Sequence, residues 1–305
     1  MTTPKISLYF MGTDAFAAVI LERLANDALF DVLGVVTPPD RPMGRKQVPT
    51  SCAVKARAEA LGLLVFHEPE KVVGKAFDFL VVASYGHLLS AEILGAPKVA
   101  PVNVHGSLLP KYRGASPIQA ALLHGDRVTG VSLQHMALQM DAGPVYSFSE
   151  QAIRPDHDAS TLREEMAYLG AELVAQSLPG IRDGSIEALA QDVTRVSYSP
   201  KIDRESGRVL WADFSATEIL NQLRAYTPWP GIFTTFKGKR LKILEAHVEP
   251  QSGPPGVTHD GGVFAREGRL CLERVQLEGK SDMSLAEFTR GNPDFEQALG
   301  SLERS

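Results

Sequence analysis

The 305-residue chain is 44% hydrophobic and 22% charged, which is ordinary for a packed globular protein and excludes disorder, collagen and coiled coil as descriptions of the whole. Its length predicts two domains or one large α/β unit. The formal net charge of −5 argues against a surface devoted entirely to nucleic acid. Two cysteines, Cys52 and Cys271, are too few for a disulfide framework or a zinc site.

The first half of the chain alternates strand and helix signals. Strands are predicted at 6–11, 31–36, 63–66, 79–83, 99–106, 129–136 and 144–153, and helices at 14–29, 51–61, 115–125 and 160–178. The run 79–83 is fully apolar, which is typical of a strand buried on both faces. Strands separated by helices favour right-handed crossovers and a mostly parallel sheet. Residues 37–51 contain four prolines and are predicted to be irregular.

The beginning of the chain lacks the pattern of an export signal. The apolar run after Lys5 is short, and no small-residue cleavage pattern follows it. No apolar run approaches the ~18–20 residues that span a bilayer. We therefore expect a cytoplasmic protein that does not enter a membrane.

The pattern changes after residue 183. Residues 183–204 are polar and interrupted, whereas a helix at 215–226 and short strands at 231–236, 240–248, 262–265 and 269–277 are predicted beyond them. Frequent Gly and Pro turns favour a small β-barrel, with Trp229 and Phe233 in its core and 250–261 as a loop. We therefore predict an α/β domain over 1–187, a linker over 188–204 and a C-terminal domain over 205–305.

Two short stretches could carry chemistry. Alternation along strand 99–106 places Asn103 and His105 on one face at a strand end, where a parallel sheet has its ligand crevice. Asp141 lies in an Asp-Ala-Gly turn between two strand signals. An amide, an imidazole and a carboxylate together suit acyl transfer, because they can stabilise an oxyanion and move protons. Taken singly, a histidine in a strand is more often structural, and Asp-Ala-Gly is usually only a turn.

A basic segment follows the second predicted strand. Residues 40–57 contain five basic residues and one acidic residue, for a net charge of +4: Asp40, Arg41, Arg45, Lys46, Lys55 and Arg57. This concentration of charge favours a grip on phosphate, with a solvated surface loop as the alternative. A second basic group lies on the predicted barrel and comprises Lys237, Lys239, Arg240 and Lys242.

The joint pattern is more specific than its parts. The motif Asn103-x-His105 is followed by Ser107-Leu-Leu-Pro-Lys-Tyr-Arg-Gly114 and, about thirty residues later, by Asp141-Ala-Gly143. This spacing resembles the folate-dependent formyltransferase family, as do the start Phe10-Met-Gly-Thr13 and the segment 81–86.

The resemblance implies a Rossmann-like α/β domain, 10-formyltetrahydrofolate as co-substrate without a metal, and a small OB-like C-terminal β-barrel. It also implies catalytic roles for Asn103, His105 and Asp141. The implied folate contacts are Ser107, Leu108, Leu109 and Pro110, with the pterin near Tyr85, Gly86 and Leu88.

Within that family, the chain is similar to the members that act on initiator methionyl-tRNA. The similarity lies in the loop 37–46 with 54–55, in the segments 198–202 and 224–231, and in the stretch 288–293. One departure is Asp14-Ala15-Phe16, where the family usually has Pro and an acidic residue before Phe. The similarity implies formyl transfer to the free α-amino group of that tRNA and tRNA binding by the C-terminal domain. The implied tRNA contacts are Arg41, Arg45, Lys46 and Lys201, and a monomer is expected.

Three other functions stay open at this point. A formyltransferase for a sugar nucleotide or ribosyl amine would keep the three catalytic residues but should lack the basic loop. A catalytically silent RNA-binding protein would not need those residues. A nucleotide-dependent oxidoreductase is disfavoured, because Gly12-Thr13-Asp14 does not satisfy the dinucleotide fingerprint.

Overall fold

The computed structural model describes residues 4–43 and 48–295, without the side chains of residues 43, 48 and 49. These residues fold into two compact units. The first unit comprises the residues up to 117, 128–152 and 162–200, and the second comprises 118–127, 153–161 and the residues from 201 on. Residues 188–200 of the predicted linker thus fall in the first unit. The domain limits 1–187 and 205–305 stay predictions.

Seventeen strands and seven α-helices make up the regular structure of the described residues. The strands are β1 (Ile6–Gly12), β2 (Phe30–Val36), β3 (Arg41–Met43), β4 (Val48–Thr50), β5 (Val65–Phe66), β6 (Phe79–Ala83), β7 (Ala100–His105), β8 (Arg113–Gly114), β9 (Val128–His135), β10 (Val145–Ala152), β11 (Tyr198–Ser199), β12 (Ile232–Phe236), β13 (Lys239–Glu249), β14 (Thr258–His259), β15 (Gly262–Phe264), β16 (Arg269–Leu277) and β17 (Met283–Ser284). The helices are α1 (Ala15–Ala25), α2 (Ala53–Ala60), α3 (Ala91–Leu94), α4 (Pro117–Leu123), α5 (Ala159–Asp183), α6 (Ala216–Tyr226) and α7 (Leu285–Gly291).

A seven-stranded sheet forms the first unit, in the order β10-β9-β7-β6-β1-β2-β5. Neighbouring strands are parallel except at β9, which is antiparallel to both β7 and β10. Strand β6 lies inside the sheet, and its five residues are all buried, as the apolar run predicts. Strand β7 carries Asn103 and His105, and strands β9 and β10 flank Asp141 along the chain. These three strands are consecutive in the sheet, in the order β10-β9-β7.

Helix α1 shows how local side chains set the element limits. The carboxylate of Asp14 accepts the backbone N–H of Ala17, so it caps the first turn. The helix ends at Ala25, four residues before the predicted end, and Asn26 is its C-cap. The side chain of Asp27 then accepts the N–H of Leu29 at 2.9 Å, which turns the chain into β2.

The second unit contains a six-stranded antiparallel sheet in the order β12-β13-β16-β15-β14, with β17 paired to β16. Helix α6 starts in a capping box of Ser215 and Glu218. Trp211 is 2% exposed and donates its indole N–H to the hydroxyl of Thr234 at 3.2 Å. Phe233 is buried as predicted, but Trp229 is 54% exposed because it lies in the turn between α6 and β12, so its assignment to the core was wrong.

The fold class predicted from the sequence, a mostly parallel α/β domain followed by a small antiparallel β domain, is confirmed. The sequence did not indicate six short elements: α3, β8, β11, β14, β17 and α7. It also did not indicate the hairpin of β3 and β4 inside the loop 37–51. Among the described helices, none is both long enough and apolar enough to span a membrane.

Candidate active site

The candidate site lies on one face of the ladder between β7 and β9. In the register of these antiparallel strands, Asn103 is opposite Gln134, and His105 is opposite Ser132. Directly opposed residues share a face, and so do residues two apart on a strand. Four polar side chains therefore stand together. The structure joins the predicted pair Asn103 and His105 with two residues that the sequence did not single out.

His105 is 6% exposed, and both of its ring nitrogens face acceptors. Nε2 lies 3.0 Å from the carbonyl oxygen of Tyr112, and Nδ1 lies 3.5 Å from Oδ1 of Asp141. A carbonyl oxygen cannot donate, so Nε2 carries a proton. A ring that also carries a proton on Nδ1 can donate toward the carboxylate. The structure thus brings His105 and Asp141 together, as the joint motif predicts.

The carboxylate of Asp141 is held by a donor on each oxygen. Oδ2 accepts the backbone N–H of Gly114 at 2.8 Å, and Oδ1 accepts a side-chain N–H of Gln134 at 3.0 Å. The side chain of Asp141 is 11% exposed. Its orientation is therefore set by one backbone group at β8 and one side chain on β9.

The backbone of Asp141 is held as firmly as its side chain. Its φ of 51° lies in the left-handed region, which costs a non-glycine residue roughly 1–3 kcal/mol. The side-chain amide of Gln191 donates to the carbonyl oxygens of Asp141 and Gly143 at 2.8 and 2.7 Å. Gln191 in turn accepts from the guanidinium of Arg113 at 2.9 Å. Gln191 lies in the stretch predicted as a linker, so that stretch contributes to the site.

Two positions in the motifs require glycine, because a backbone carbonyl oxygen lies too close for a Cβ atom. A Cβ on Gly143 would lie 1.7 Å from the carbonyl oxygen of His135. Gly114 has a φ of 120°, and a Cβ there would lie 2.4 Å from the carbonyl oxygen of Ser199. Ser199 belongs to β11, which pairs in parallel with β8. The Arg-Gly and Asp-Ala-Gly motifs thus pack against their neighbours so closely that no side chain fits.

The side chain of Gln134 also costs the folded state free energy. It is 2% exposed, and its Oε1 has no hydrogen-bond partner among the residues that the structure describes. The amide cannot be reversed to relieve this, because Oε1 would then face a carboxylate oxygen, and both groups are acceptors. A buried amide oxygen without a partner costs about 1–3 kcal/mol. The orientation of Gln134 is therefore dictated by Asp141.

The loop of the predicted folate contacts is tied to β9. The hydroxyl of Ser132 donates to the carbonyl oxygen of Ser107 at 2.8 Å and accepts the N–H of Leu109 at 3.0 Å. Ser107 is fully buried and donates its own hydroxyl to the carbonyl oxygen of Lys111 at 2.6 Å. Its side chain thus shapes the loop. Leu108, Leu109 and Pro110 are partly exposed and are the members of this set that face outward.

The predicted pterin contacts differ in exposure. Tyr85 is 6% exposed and belongs to an apolar cluster with Tyr9, Met11 and Phe77, and burial raises the pKa of its phenol. Gly86 is exposed, and Leu88 is 78% exposed. Leu88 is therefore available to an apolar ring, whereas Tyr85 packs in the core.

The basic segment carries less free charge than the sequence suggests. Lys55 forms an ion pair with Asp40 at 2.8 Å, and this ammonium lowers the pKa of the Asp40 carboxyl. Arg57 pairs with Glu22 at 2.5 Å. Arg41 is exposed, as is Lys201 in the second unit, while Arg45 and Lys46 lie outside the described residues.

The basic group of the small domain is also partly neutralised. Lys237 pairs with Asp294 at 2.6 Å, and Arg240 pairs with Glu205. Arg240 also lies over the ring of Phe233, 4.3 Å from its centroid. This leaves Lys239 and Lys242 as the residues of the group for which the described structure gives no ion pair.

His135 follows Gln134 but faces away from it. Its Nδ1 is 2.9 Å from the hydroxyl of Tyr146, and burial lowers the pKa of its imidazole. A lowered pKa keeps this ring neutral near pH 7. His135 is therefore placed as a neutral partner of Tyr146, away from the face that carries Asn103 and His105.

One group of residues with metal-ligand chemistry occurs among the described residues, on the sheet of the second unit. It comprises His247, Glu249 and Cys271. Glu249 already forms an ion pair with Arg269 at 2.5 Å, and Nδ1 of His247 lies at hydrogen-bond distance, 2.6 Å, from Oε1 of Glu273. Two members of the group are thus already engaged by other side chains of the sheet.

The sequence contained a signal for two of the residues that were missed. Strand 129–136 was predicted, and period-two alternation puts Ser132 and Gln134 on one of its faces. Their position opposite the Asn-x-His motif required the pairing of β9 with β7, two strands that β8 and α4 separate along the chain. Gln191 gave no local signal, and Tyr112 lies in the quoted motif but contributes its backbone carbonyl oxygen.

Comparisons with known proteins match both parts of the chain. The family model described as formyl transferase matches residues 5–178, and that of the formyl transferase C-terminal domain matches residues 201–293. The chain is 38% identical over 302 residues to the methionyl-tRNA formyltransferase of Roseiflexus castenholzii, covering 94% of this chain and 96% of that protein. It is 40% identical over 308 residues to that of Myxococcus xanthus, covering 96% of each.

Solved structures share the fold at lower identity. The sugar 3N-formyl transferase WlaRD, crystallised with dTDP and 5-N-formyl-THF, is 17% identical with a TM-score of 0.69, covering 92% of this chain and all of that one. HypX from Aquifex aeolicus is 18% identical with a TM-score of 0.63, and this chain spans 48% of its length while 96% of this chain is covered. These likenesses concern the fold.

Proposed function

This chain belongs to the methionyl-tRNA formyltransferase family, and from this premise we propose that it transfers the formyl group of 10-formyltetrahydrofolate to the free α-amino group of methionyl initiator tRNA. The observation that carries the proposal is the joint placement of Asn103, His105 and Asp141. Their side chains supply the three groups that acyl transfer to an amine requires.

Asn103 is proposed as the direct oxyanion donor. The neutral amine attacks the formyl carbon, a new C–N bond forms, and the formyl oxygen gains negative charge. No hydrogen bond engages the side chain of Asn103 among the described residues, and it is only partly buried. Its amide N–H groups are therefore available to that oxygen.

His105 and Asp141 are proposed to act as a charged pair behind that donor. His105 donates from Nε2 to the carbonyl of Tyr112, so its contribution to the oxyanion is the positive charge of a doubly protonated ring near Asn103. Asp141 stabilises that ring and accepts the proton that the amine loses. When the bond from the formyl carbon to N10 of the folate breaks, that proton passes to N10, through water.

The residues around the loop 107–110 fit a folate. When bound, the folate supplies the activated formyl group on N10. Leu108, Leu109, Pro110 and the exposed Leu88 offer apolar contacts to its rings. Ser107 and Tyr85 are proposed to support these contacts from beneath, because both are buried.

The substitution Ser132→Ala is expected to raise the KM for the formyl donor about three- to tenfold, because two hydrogen bonds that hold the loop are lost. The turnover number should change much less, since the hydroxyl of Ser132 is engaged by the loop backbone at Ser107 and Leu109. Steady-state kinetics with varied 10-formyltetrahydrofolate measure both. Ser149→Ala on the neighbouring strand is the matched control. A loss confined to the turnover number would contradict this assignment.

The tRNA contacts are proposed to be few. The proposed contacts to the acceptor arm are Arg41, Arg45, Lys46 and Lys201. The C-terminal domain is also proposed to bind the tRNA. Lys55 and Arg57 are excluded from this set, since each is paired with a carboxylate.

Binding of initiator tRNA is accordingly expected to weaken with salt with a shallow log–log slope of magnitude about 3, the value for about four phosphate contacts. Fluorescence titrations over a range of KCl measure this slope. Arg41→Ala should reduce it by about one, whereas Arg57→Ala should leave it unchanged. A slope of about 8 or more for the unaltered protein would place the interface elsewhere.

One assay tests the proposed function against its rivals. The protein is incubated with labelled 10-formyltetrahydrofolate, charged initiator tRNA, an amino-sugar nucleotide and a ribosyl amine. Label in N-formylmethionyl-tRNA supports the proposal. Label in a small amine alone would assign a sugar or ribosyl formyltransferase, and binding of tRNA without any transfer would assign a silent RNA-binding protein.

The same proposal includes a cytoplasmic location, a monomer, and domains at 1–187 and 205–305 joined by 188–204. Sedimentation velocity at micromolar protein measures the oligomeric state. A concentration-dependent dimer would contradict the expected monomer.

A further inference from the structure

We propose that Gln134 is a positioning residue for the formyl transfer and holds the Asp141 carboxylate in the orientation that faces His105. The proposal rests on the proposed function, because it assigns Gln134 a role through Asp141. Gln134 does not contact the reacting atoms. It acts by fixing the carboxylate oxygen that faces the imidazole.

One oxygen of Asp141 serves two partners. Oδ1 accepts from Gln134 at 3.0 Å and faces Nδ1 of His105 at 3.5 Å. Oδ2 is already occupied by the N–H of Gly114. If the donor from Gln134 is removed, the carboxylate can rotate about its remaining bond, and Oδ1 is no longer aimed at His105.

The side-chain amide of Gln134 has one unpartnered and one partnered end. The buried Oε1 has no partner among the described residues, which costs free energy, whereas the N–H of the same amide donates to Asp141. The hydrogen bond that this amide makes in the described structure therefore goes to a residue of the candidate site. The group that benefits from it is the Asp141 carboxylate.

The register of β7 and β9 also links Gln134 to the candidate site. Gln134 is opposite Asn103, so a single residue pair of the β7–β9 ladder holds the proposed oxyanion donor and the donor to Asp141. The ionisable groups that face position 134 are Asp141 and, on β7, His105, while β10 presents Val145. A change of charge at position 134 therefore acts first on Asp141 and His105.

Two substitutions separate positioning from packing. Gln134→Met keeps the volume and removes both the donor and the unpartnered oxygen. Gln134→Glu keeps the shape but places a second carboxylate against Asp141. Two adjacent carboxylates share a proton at lower pH, and that proton restores a donor to Asp141.

The test is single-turnover formylation of charged initiator tRNA, measured from pH 6 to pH 8. Q134M is expected to be about tenfold to a hundredfold slower at every pH, the worth of one hydrogen bond to a charged group, with a thermal midpoint close to that of the unaltered protein. Q134E is expected to be slow at pH 8 and to recover roughly tenfold, relative to the unaltered protein, as the pH falls to 6. A residue needed only for packing would not show this pH dependence.

Gln222 offers a matched control on α6 of the second unit. It too is buried, at 8% exposure, and its Oε1 also lacks a partner among the described residues. Q222M and Q222E are expected to retain the rate and the pH profile of the unaltered protein.

The outcomes distinguish the proposal from its premise. If the unaltered protein transfers label to methionyl-tRNA and Asn103→Ala is slow, while Q134M stays within threefold and Q134E has an unaltered pH profile, the role of Gln134 is overturned and the function stands. If the unaltered protein transfers no label to methionyl-tRNA, the proposed function fails. Loss of activity in Q134M that parallels a lost thermal transition, without pH-dependent recovery of Q134E, also overturns the positioning role.

Discussion

Single-turnover formylation by Asn103→Ala is expected to be about 10²–10³ times slower than by the unaltered protein, which corresponds to about 2.7–4 kcal/mol of transition-state stabilisation. Asn103 is partly exposed on β7, and its amide is not engaged by any described residue. In the proposed mechanism it donates to the formyl oxygen, and this hydrogen bond strengthens as charge develops there. The loss should fall on the chemical step.

The measurement is a rapid-quench time course with enzyme in excess over charged initiator tRNA, at saturating formyl donor. Asn26→Ala is the matched control, because Asn26 is an exposed C-cap of α1. The control should react at the rate of the unaltered protein. If Asn103→Ala stays within tenfold of that rate, Asn103 is not the oxyanion donor.

Asp141→Asn is expected to slow the same reaction at least about a hundredfold, as in other sites where a carboxylate orients a catalytic histidine. Both oxygens of Asp141 accept N–H groups, one from Gly114 and one from Gln134. An asparagine has one amide nitrogen, which must face one of these donors, and it has no charge to stabilise a protonated His105. The substitution therefore breaks both the geometry and the electrostatics.

The same variant should also be less stable by about 1–3 kcal/mol, because a buried N–H is left facing another donor. Urea unfolding measures this free energy, and the rapid-quench assay measures the rate. Asp31→Asn, at an exposed position on β2, is the control for both. An active Asp141→Asn with an unchanged unfolding midpoint would show that neither the charge nor the hydrogen bonds matter.

The longer strands and helices of the first unit could be predicted because they have local signals. The apolar run 79–83 predicted β6, and alternation predicted β9 and β10. The direction of β9 could not be predicted, since pairing is decided by distant parts of the chain. The two-residue strands β8 and β11 have no periodicity to detect, and they exist because Gly114 allows Ser199 to approach.

The residues of the candidate site could likewise be predicted where a local motif marks them, but not where distant parts of the chain meet. Asn103, His105 and Asp141 were accessible through a linear motif, and the structure brings them together. Gln134, Ser132 and Gln191 act on those residues across the sheet or from the predicted linker, and their contacts depend on tertiary structure. Ion pairs were missed for the same reason: Lys55 and Arg57 looked free in the sequence but each has a carboxylate partner.

The two units interleave along the chain, and this limits how the protein can be recombined. The chain passes from one unit to the other at five places: 117/118, 127/128, 152/153, 161/162 and 200/201. A fragment ending at Pro200 keeps the carbonyl groups of Arg154 and His157 but loses Arg224, whose guanidinium donates to both at 2.8 Å. A chimaera that exchanges the small domain between relatives therefore needs matched replacements at 118–127 and 153–161, and one junction after residue 200 is not enough.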